Sequence, residues 1–145
     1  MREFELPPLW LALFLALGWG GAQIWRLPIW GGEAVGLALV ALGVLLMGLA
    51  AGQMMLARTT VIPRRDPRAL VTGGVFAISR NPIYVADALI LAGGLLYWQA
   101  GWLLWLVAGF MAVISRRFIL GEEVRLRAHF GAVYADYCAT TRRWL

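Results

Sequence analysis

The chain has no lysine, one histidine (His129) and one cysteine (Cys138), and only 14% of its 145 residues are charged. A single cysteine cannot form an intramolecular disulfide, and nothing argues for an oxidising compartment. His129 has no second histidine or cysteine at ligand spacing, so no metal is expected. Gly73-Gly74 is followed by neither lysine nor a GxxxxGK pattern, and no GxGxxG follows a strand. Gly73-Gly74 therefore reads as a plain turn rather than a phosphate loop, and a Rossmann nucleotide site is excluded. Soluble domains carry about 25% charged residues, and this shortfall excludes both disorder and an ordinary globular surface. What is present is apolar: 61% hydrophobic residues and a mean hydropathy of +0.73. The net charge of +5 rests wholly on 13 arginines. Beside this apolar excess it points to a membrane surface rather than nucleic acid.

A bilayer core of about 30 Å takes roughly 20 apolar helical residues, and four segments qualify or nearly so. The first covers about 6–27, opening at Pro7-Pro8, where proline suits a helix start; it is too long for a signal peptide and lacks a small-residue cleavage site. The second covers 33–57 and contains Gly48-x-x-x-Gly52, a spacing that lets helices approach closely in lipid. The third, 82–98, is slightly short at about 25 Å, with Tyr97 and Trp98 as interfacial anchors. Gln99-Ala100-Gly101 allows only a tight turn, so the fourth, 102–120, returns antiparallel and forms a helical hairpin with the third. Arg116 and Arg117 near its end snorkel towards the headgroups.

The expected fold is an all-α, polytopic membrane protein of one domain, with four transmembrane helices, a polar loop 58–81 and a tail 121–145 holding an amphipathic helix. Four crossings put Arg2, the loop arginines and the tail arginines on one side, twelve of the thirteen, with Arg26 opposite. The positive-inside rule places that side, and both termini, in the cytoplasm. The all-Arg, Ala/Gly-rich composition hints at a bacterial inner membrane.

The chemistry must lie on the arginine-rich side. There Ser79-Arg80-Asn81-Pro82-Ile83-Tyr84 enters the third span, with Asn81 read as an N-cap and Pro82 as the first helical residue. Capping leaves Arg80 and Tyr84, one helical turn apart where the span meets water, unexplained. In the tail, Leu126, Phe130, Val133, Tyr134 and Tyr137 form one apolar stripe. Glu123 lies on that stripe and needs a partner, either an arginine or a ligand hydroxyl or ammonium. Arg142-Arg143-Trp144 is a headgroup anchor or an anion clamp. Asp87 is the one carboxylate well inside a span, three residues after Tyr84; an intramembrane ionisable residue is a functional candidate by default.

Arg80-Asn81-Pro82-Ile83-Tyr84, preceded by Leu70-Val71-Thr72-Gly73-Gly74, resembles the R-[HN]-P-x-Y signature of the isoprenylcysteine carboxyl methyltransferase and phospholipid methyltransferase superfamily. Glu122-Glu123-x-x-Leu126-x-x-x-Phe130-Gly131-x-x-Tyr134-x-x-Tyr137 with Arg142-Arg143-Trp144 is similar to its C-terminal signature. The likeness covers about 59–145, two motifs in the right order around a hairpin. It implies an integral membrane enzyme that methylates a lipophilic carboxylate, amine or thiol from S-adenosylmethionine, leaving S-adenosylhomocysteine, at the cytosolic face. It implies a cofactor pocket lined by Arg80, Asn81, Pro82 and Tyr84, with Glu122, Glu123, Phe130, Tyr134, Tyr137 and Arg142 opposite, and it makes Glu123 and Arg143 the candidate catalytic residues. Eukaryotic members generally have histidine at the place of Asn81, and the position of Asp87 is usually apolar.

The residue types suit that chemistry on their own terms. Methyl transfer from a sulfonium is an in-line displacement in which the protein mainly aligns the reactants. Arg143 or Arg80 can hold the cofactor carboxylate, Glu123 a hydroxyl or the ammonium, and Tyr84, Phe130 and Tyr134 can face the adenine or sulfonium. An amine acceptor must lose a proton, with Glu123 or Asp87 as candidate base. The rival reading is a small four-helix proton-coupled transporter that uses Asp87.

Overall fold

A computed structural model describes residues 6–59 and 69–145. Arg2 and the loop residues Arg64, Arg65, Asp66, Pro67 and Arg68 lie outside the described residues. The described chain is helical: α1 (Pro7–Ile24), α2 (Gly32–Leu56), α3 (Pro82–Tyr97), α4 (Trp105–Ile114), α5 (Leu120–Phe130) and α6 (Ala132–Thr140). Short 3-10 turns occur at Gly74–Ala77 and Gly101–Leu103, and a π-helical turn at Ser115–Ile119 joins α4 to α5.

The element starts follow from local chemistry. Pro7 and Pro82 each sit in a first turn, where the missing N–H leaves no bond unmade. Gly31 enters α2 at φ +72°, a conformation glycine adopts without strain. Glu33 in the first turn of α2 complements the helix dipole and accepts a 2.6 Å bond from Gln99 Nε2.

Among the described residues, three helical stretches are long and apolar enough to cross a membrane: Pro7–Ile24, Gly32–Leu56 and Gly101–Phe130. The last combines α4, the π turn and α5 in one rod, so the tail helix expected to begin at 121 is a continuation of the fourth apolar segment. At 16 residues α3 spans about 24 Å, below the length of a full crossing. It is also the central helix, packed by α1, α2 and α4, with Ala86, Leu91 and Leu95 wholly enclosed.

The packing of α2 on α3 is backbone on backbone. A Cβ added at Gly36 would stand 2.6 Å from the Gly93 carbonyl oxygen, and one at Gly43 would stand 2.8 Å from that of Ala86. Gly36, Gly43 and the buried Ala50 repeat every seven residues along that seam. The Gly48-x-x-x-Gly52 pair, in contrast, faces open space. The close approach expected at that pair occurs at the other glycines, because they occupy the helix face turned to α3. The main core, including Phe14, Leu91, Leu95, Leu106, Phe110 and Ile114, sits between α1, α3 and α4. Phe14 meets Phe110 edge to face at 5.6 Å.

The α1–α2 and α3–α4 connections meet: Leu27 N–H donates to the Gln99 carbonyl at 2.7 Å, and Trp102 Nε1 donates to the Trp25 carbonyl. This tryptophan-rich end closes one pole of the bundle. The segments rich in ionisable groups gather at the other.

Candidate functional site

At that pole, residues 69–81 and 141–144 are tied together. Gly74, at φ +57°, lies so close to the Gln53 amide that a Cβ would collide with it, and Gln53 Oε1 accepts the Val75 N–H at 3.3 Å. The following residues meet the tail. Arg80 N–H donates to the Arg142 carbonyl at 2.9 Å, while Ser79 Oγ and Asn81 Nδ2 donate to the Arg143 carbonyl at 3.3 and 2.9 Å. The sequence reads Asn81 as a capping side chain, but it makes no capping bond. Its amide holds the tail, and its own N–H donates to Ser79 Oγ at 3.1 Å. A carbonyl placed opposite the side chain draws the amide donor away from the helix end.

These bonds bring a buried charge cluster into register. Arg143 donates through Nε and Nη2 to the two oxygens of Glu123, both at 2.8 Å, a two-pronged geometry that lysine cannot make. Arg80 Nη2 lies 3.4 Å from the same carboxylate, and Arg80 Nη1 meets Cys138 Sγ. Of the alternatives left open for Glu123, the arginine partner is the one found. Arg80 Nε is buried with no hydrogen-bond partner among the described residues. Tyr84 OH donates to Glu122 Oε1 at 3.0 Å. Tyr137 OH donates to the Phe76 carbonyl, and Trp144 Nε1 donates to Ser115 Oγ.

A cavity of about 520 Å³ opens beside the cluster, within the roughly 300–1,000 Å³ of small-molecule sites. Its polar lining includes Arg80, Tyr84, Glu122, Glu123, Arg125 and the tyrosines Tyr134 and Tyr137; Asn81 and Pro82 also line it. Its apolar lining includes Leu6, Pro7, Pro8, Met47, Met54 and Ile83, and Asp87 also lines the cavity.

Three expected site residues lie elsewhere. Phe130 packs its ring on His129 at 4.7 Å and is off the cavity wall. Arg142 contributes its backbone carbonyl while the residue itself is exposed. Arg143 holds Glu123 from behind, off the wall. The single apolar stripe also breaks. Gly131, at φ +54° and ψ −124°, ends α5 and starts α6, so Tyr134 and Tyr137 turn inward while Val133 is 63% exposed. The start of α1, the methionines of α2, Arg125 and the contact of Cys138 with Arg80 carried no sequence signal of a site.

The electrostatics follow from burial. Tyr137 is pushed up to about 12, chiefly by burial, against the opposing pull of Arg80. Tyr134 is also raised, by burial and then by its bond with Cys138. Both phenols are neutral donors at physiological pH. The bonds to Glu123 hold the Arg143 guanidinium above its ordinary value.

The phospholipid methyltransferase family model matches residues 32–133, which is 102 of the 145 positions. No curated protein and no solved structure matches the chain. The match takes in the segment around Arg80, all of α3 and Glu122-Glu123, and ends just before Tyr134.

Proposed function

The chain belongs to the phospholipid methyltransferase family of integral membrane enzymes, and on that footing we propose that it transfers a methyl group from S-adenosylmethionine to a lipophilic acceptor at the arginine-rich membrane face. The observation that carries this reading is the one cavity lined by residues of two distant motifs, Arg80 to Tyr84 and Glu122 to Tyr137, together with many apolar side chains. We place that face in the cytoplasm of a bacterial inner membrane, with both termini on the same side.

The residues fit the cofactor. Arg80 presents a buried donor, Nε, that no described group satisfies. Such a donor costs about 1–3 kcal/mol until an acceptor arrives, and the cofactor carboxylate is an acceptor of the right charge. Glu122 and Tyr84 offer a carboxylate and a phenol for ribose hydroxyls or the ammonium. Tyr134 and Tyr137 supply flat apolar surface for the adenine or the sulfonium. Asn81 and Pro82 fix the entry to α3 and so the position of Tyr84. Glu123 is engaged by two arginines. Its role is to hold Arg80 on the wall, and Arg143 in turn holds Glu123, so both act as positioning residues.

When bound, S-adenosylmethionine supplies an electrophilic methyl on a sulfonium. The protein aligns the acceptor in line with it and excludes water, and orientation of this kind supplies a large part of such rate enhancements. A proton-coupled transporter is not favoured, because Asp87 opens into the same cavity as the motif residues instead of a separate path.

Isothermal titration of the detergent-purified protein with S-adenosylmethionine and S-adenosylhomocysteine tests the proposal. Saturable binding is expected, with Arg80→Ala and Glu123→Ala each weakening it about tenfold or more. Absence of binding at millimolar ligand removes the methyltransferase reading. Unchanged affinity in both variants removes this placement of the pocket.

A further inference from the structure

Beyond Glu33, Gln53 is the one polar side chain of α2, and an amide on an apolar helix needs a partner. That partner lies in the 3-10 turn Gly74–Ala77. Gln53 Oε1 accepts the N–H of Val75, the second residue of the turn, which is one of the donors a helix start leaves without an internal partner. Gly74 admits the amide because it has no Cβ in the place the amide takes. The turn cannot place itself, since four residues of 3-10 helix hold few bonds of their own. Outside contacts set its position. The Phe76 carbonyl accepts the Tyr137 hydroxyl proton from α6. Upstream, Ala69 N–H donates to Thr59 Oγ1 at 3.4 Å, just past the end of α2. Residues 69–76 are thus strung between α2 and α6, and Ala69, Leu70, Val71 and Phe76 of this segment line the cavity together with Tyr137. Phe76 and Tyr137 are both buried.

Resting on the methyl-transfer reading, we propose that Gln53 is a positioning residue for the cofactor, holding the 3-10 turn so that Phe76 and Tyr137 keep their places in the cavity lining. Gln53 is itself off that lining and acts through Val75. Loss of its acceptor sends the Val75 N–H to water, which loosens the turn and withdraws the Phe76 carbonyl from Tyr137. The Tyr137 ring then loses a fixed orientation, and a ligand must order it again at a cost in rotamer entropy. The Thr59 tether remains, so binding is weakened and not abolished.

The test compares Gln53→Met, which keeps the length and removes the amide oxygen, with Gln53→Glu, which keeps an acceptor at that place. The readouts are amide exchange of the detergent-purified full chain without ligand and titration with S-adenosylhomocysteine. Gln53→Met is expected to speed exchange at Val75 and Ser79 about fivefold and to weaken S-adenosylhomocysteine about fivefold, the worth of one hydrogen bond. Exchange at Leu91 and Leu95, inside α3, stays unchanged, and Gln53→Glu stays near the wild type in both readouts. Gly74→Ala puts a Cβ where the amide sits, so its loss of affinity and that of Gln53→Met are less than additive in the double variant. Unchanged exchange at Val75 or unchanged affinity in Gln53→Met, an equal rise at Leu91, failure of Gln53→Glu to restore binding, or strict additivity overturns the inference. If Gln53→Met does not fold, Gly74→Ala alone decides, since it must displace the amide and reproduce both losses. Exchange is read without ligand, so failure of S-adenosylhomocysteine to bind the wild type overturns the methyl-transfer reading while the tether is still judged.

Discussion

Replacing Glu123 by glutamine keeps the side chain's volume and removes its charge, and the structure sets how much that costs. Glu123 is 9% exposed, accepts two 2.8 Å bonds from Arg143 and lies 3.4 Å from Arg80. Breaking a buried ion pair from one side typically costs about 3–5 kcal/mol, because the surviving charge is left uncompensated. Here the two survivors differ. The Arg143 side chain is 37% exposed and can regain water, so its share must be discounted for screening. The Arg80 side chain is 13% exposed and cannot. Glu123→Gln is therefore expected to cost about 2–3 kcal/mol, a fall in midpoint of roughly 5–10 °C for a chain of this length. Arg143→Gln costs less, because Glu123 keeps Arg80. Thermal unfolding in detergent, followed by tryptophan fluorescence, measures both. The double variant closes a cycle whose coupling is expected to be at least about 1 kcal/mol. Equal small losses in the single variants with no coupling would refute the idea that this carboxylate organises the cluster.

Four further outcomes follow from other parts of the molecule. Asn81→Asp, which a capping role would tolerate or favour, sets a carboxylate against the Arg143 carbonyl that Nδ2 now reaches at 2.9 Å; it should lower stability by about 1–3 kcal/mol and S-adenosylhomocysteine affinity with it, and a rise in midpoint would contradict the structure. Gly36→Ala brings a Cβ to 2.6 Å from backbone atoms of α3 and should cost about 1–3 kcal/mol, whereas Gly48→Ala, with nothing within 4 Å, should be neutral or stabilising by up to about 1 kcal/mol; denaturation of both variants side by side reads the difference. Gly131→Ala meets no atom, so its expected cost of about 1–2 kcal/mol comes from positive φ alone, and it should loosen Tyr137 from Phe76, seen as faster amide exchange at Ile78 and Ser79. Because the native state holds the Tyr137 proton to about pH 12 while the unfolded chain releases it near 10.0, stability from this group is complete below pH 10 and is lost as pH rises from 10 to 12; Tyr137→Phe should flatten that part of an alkaline unfolding curve.

How far the sequence exposed this arrangement depends on what each residue must satisfy. Arg80, Tyr84, Glu122 and Glu123 stand out because a charge or phenol next to lipid needs a reason, and their spacing on helices survives folding unchanged. The same logic marked Asp87. Residues whose only demand is apolarity give no such signal. Met47 and Met54 line the cavity, yet along α2 they cannot be told from Leu45 and Leu49, which face outward, because lipid and a ligand tail ask for the same side chains. The glycines mislead for a related reason. Gly48 and Gly52 fit a packing motif, but only the direction of the seam, set by Gly36, Gly43 and Gly93 together, decides which small residues meet a neighbour. Gly131 reads as one tolerable glycine in a helical pattern, and its positive φ is chosen by the bonds that Tyr137 and the tail make elsewhere. The tail itself shows the limit most directly. The family match stops at residue 133, while the carbonyls that fix Arg80 and Asn81 belong to Arg142 and Arg143. The sequence marks Arg142 and Arg143 for their guanidinium groups, but backbone carbonyls are present at every position, so nothing in the pattern says that the carbonyls of these two residues hold Arg80, Ser79 and Asn81 in place.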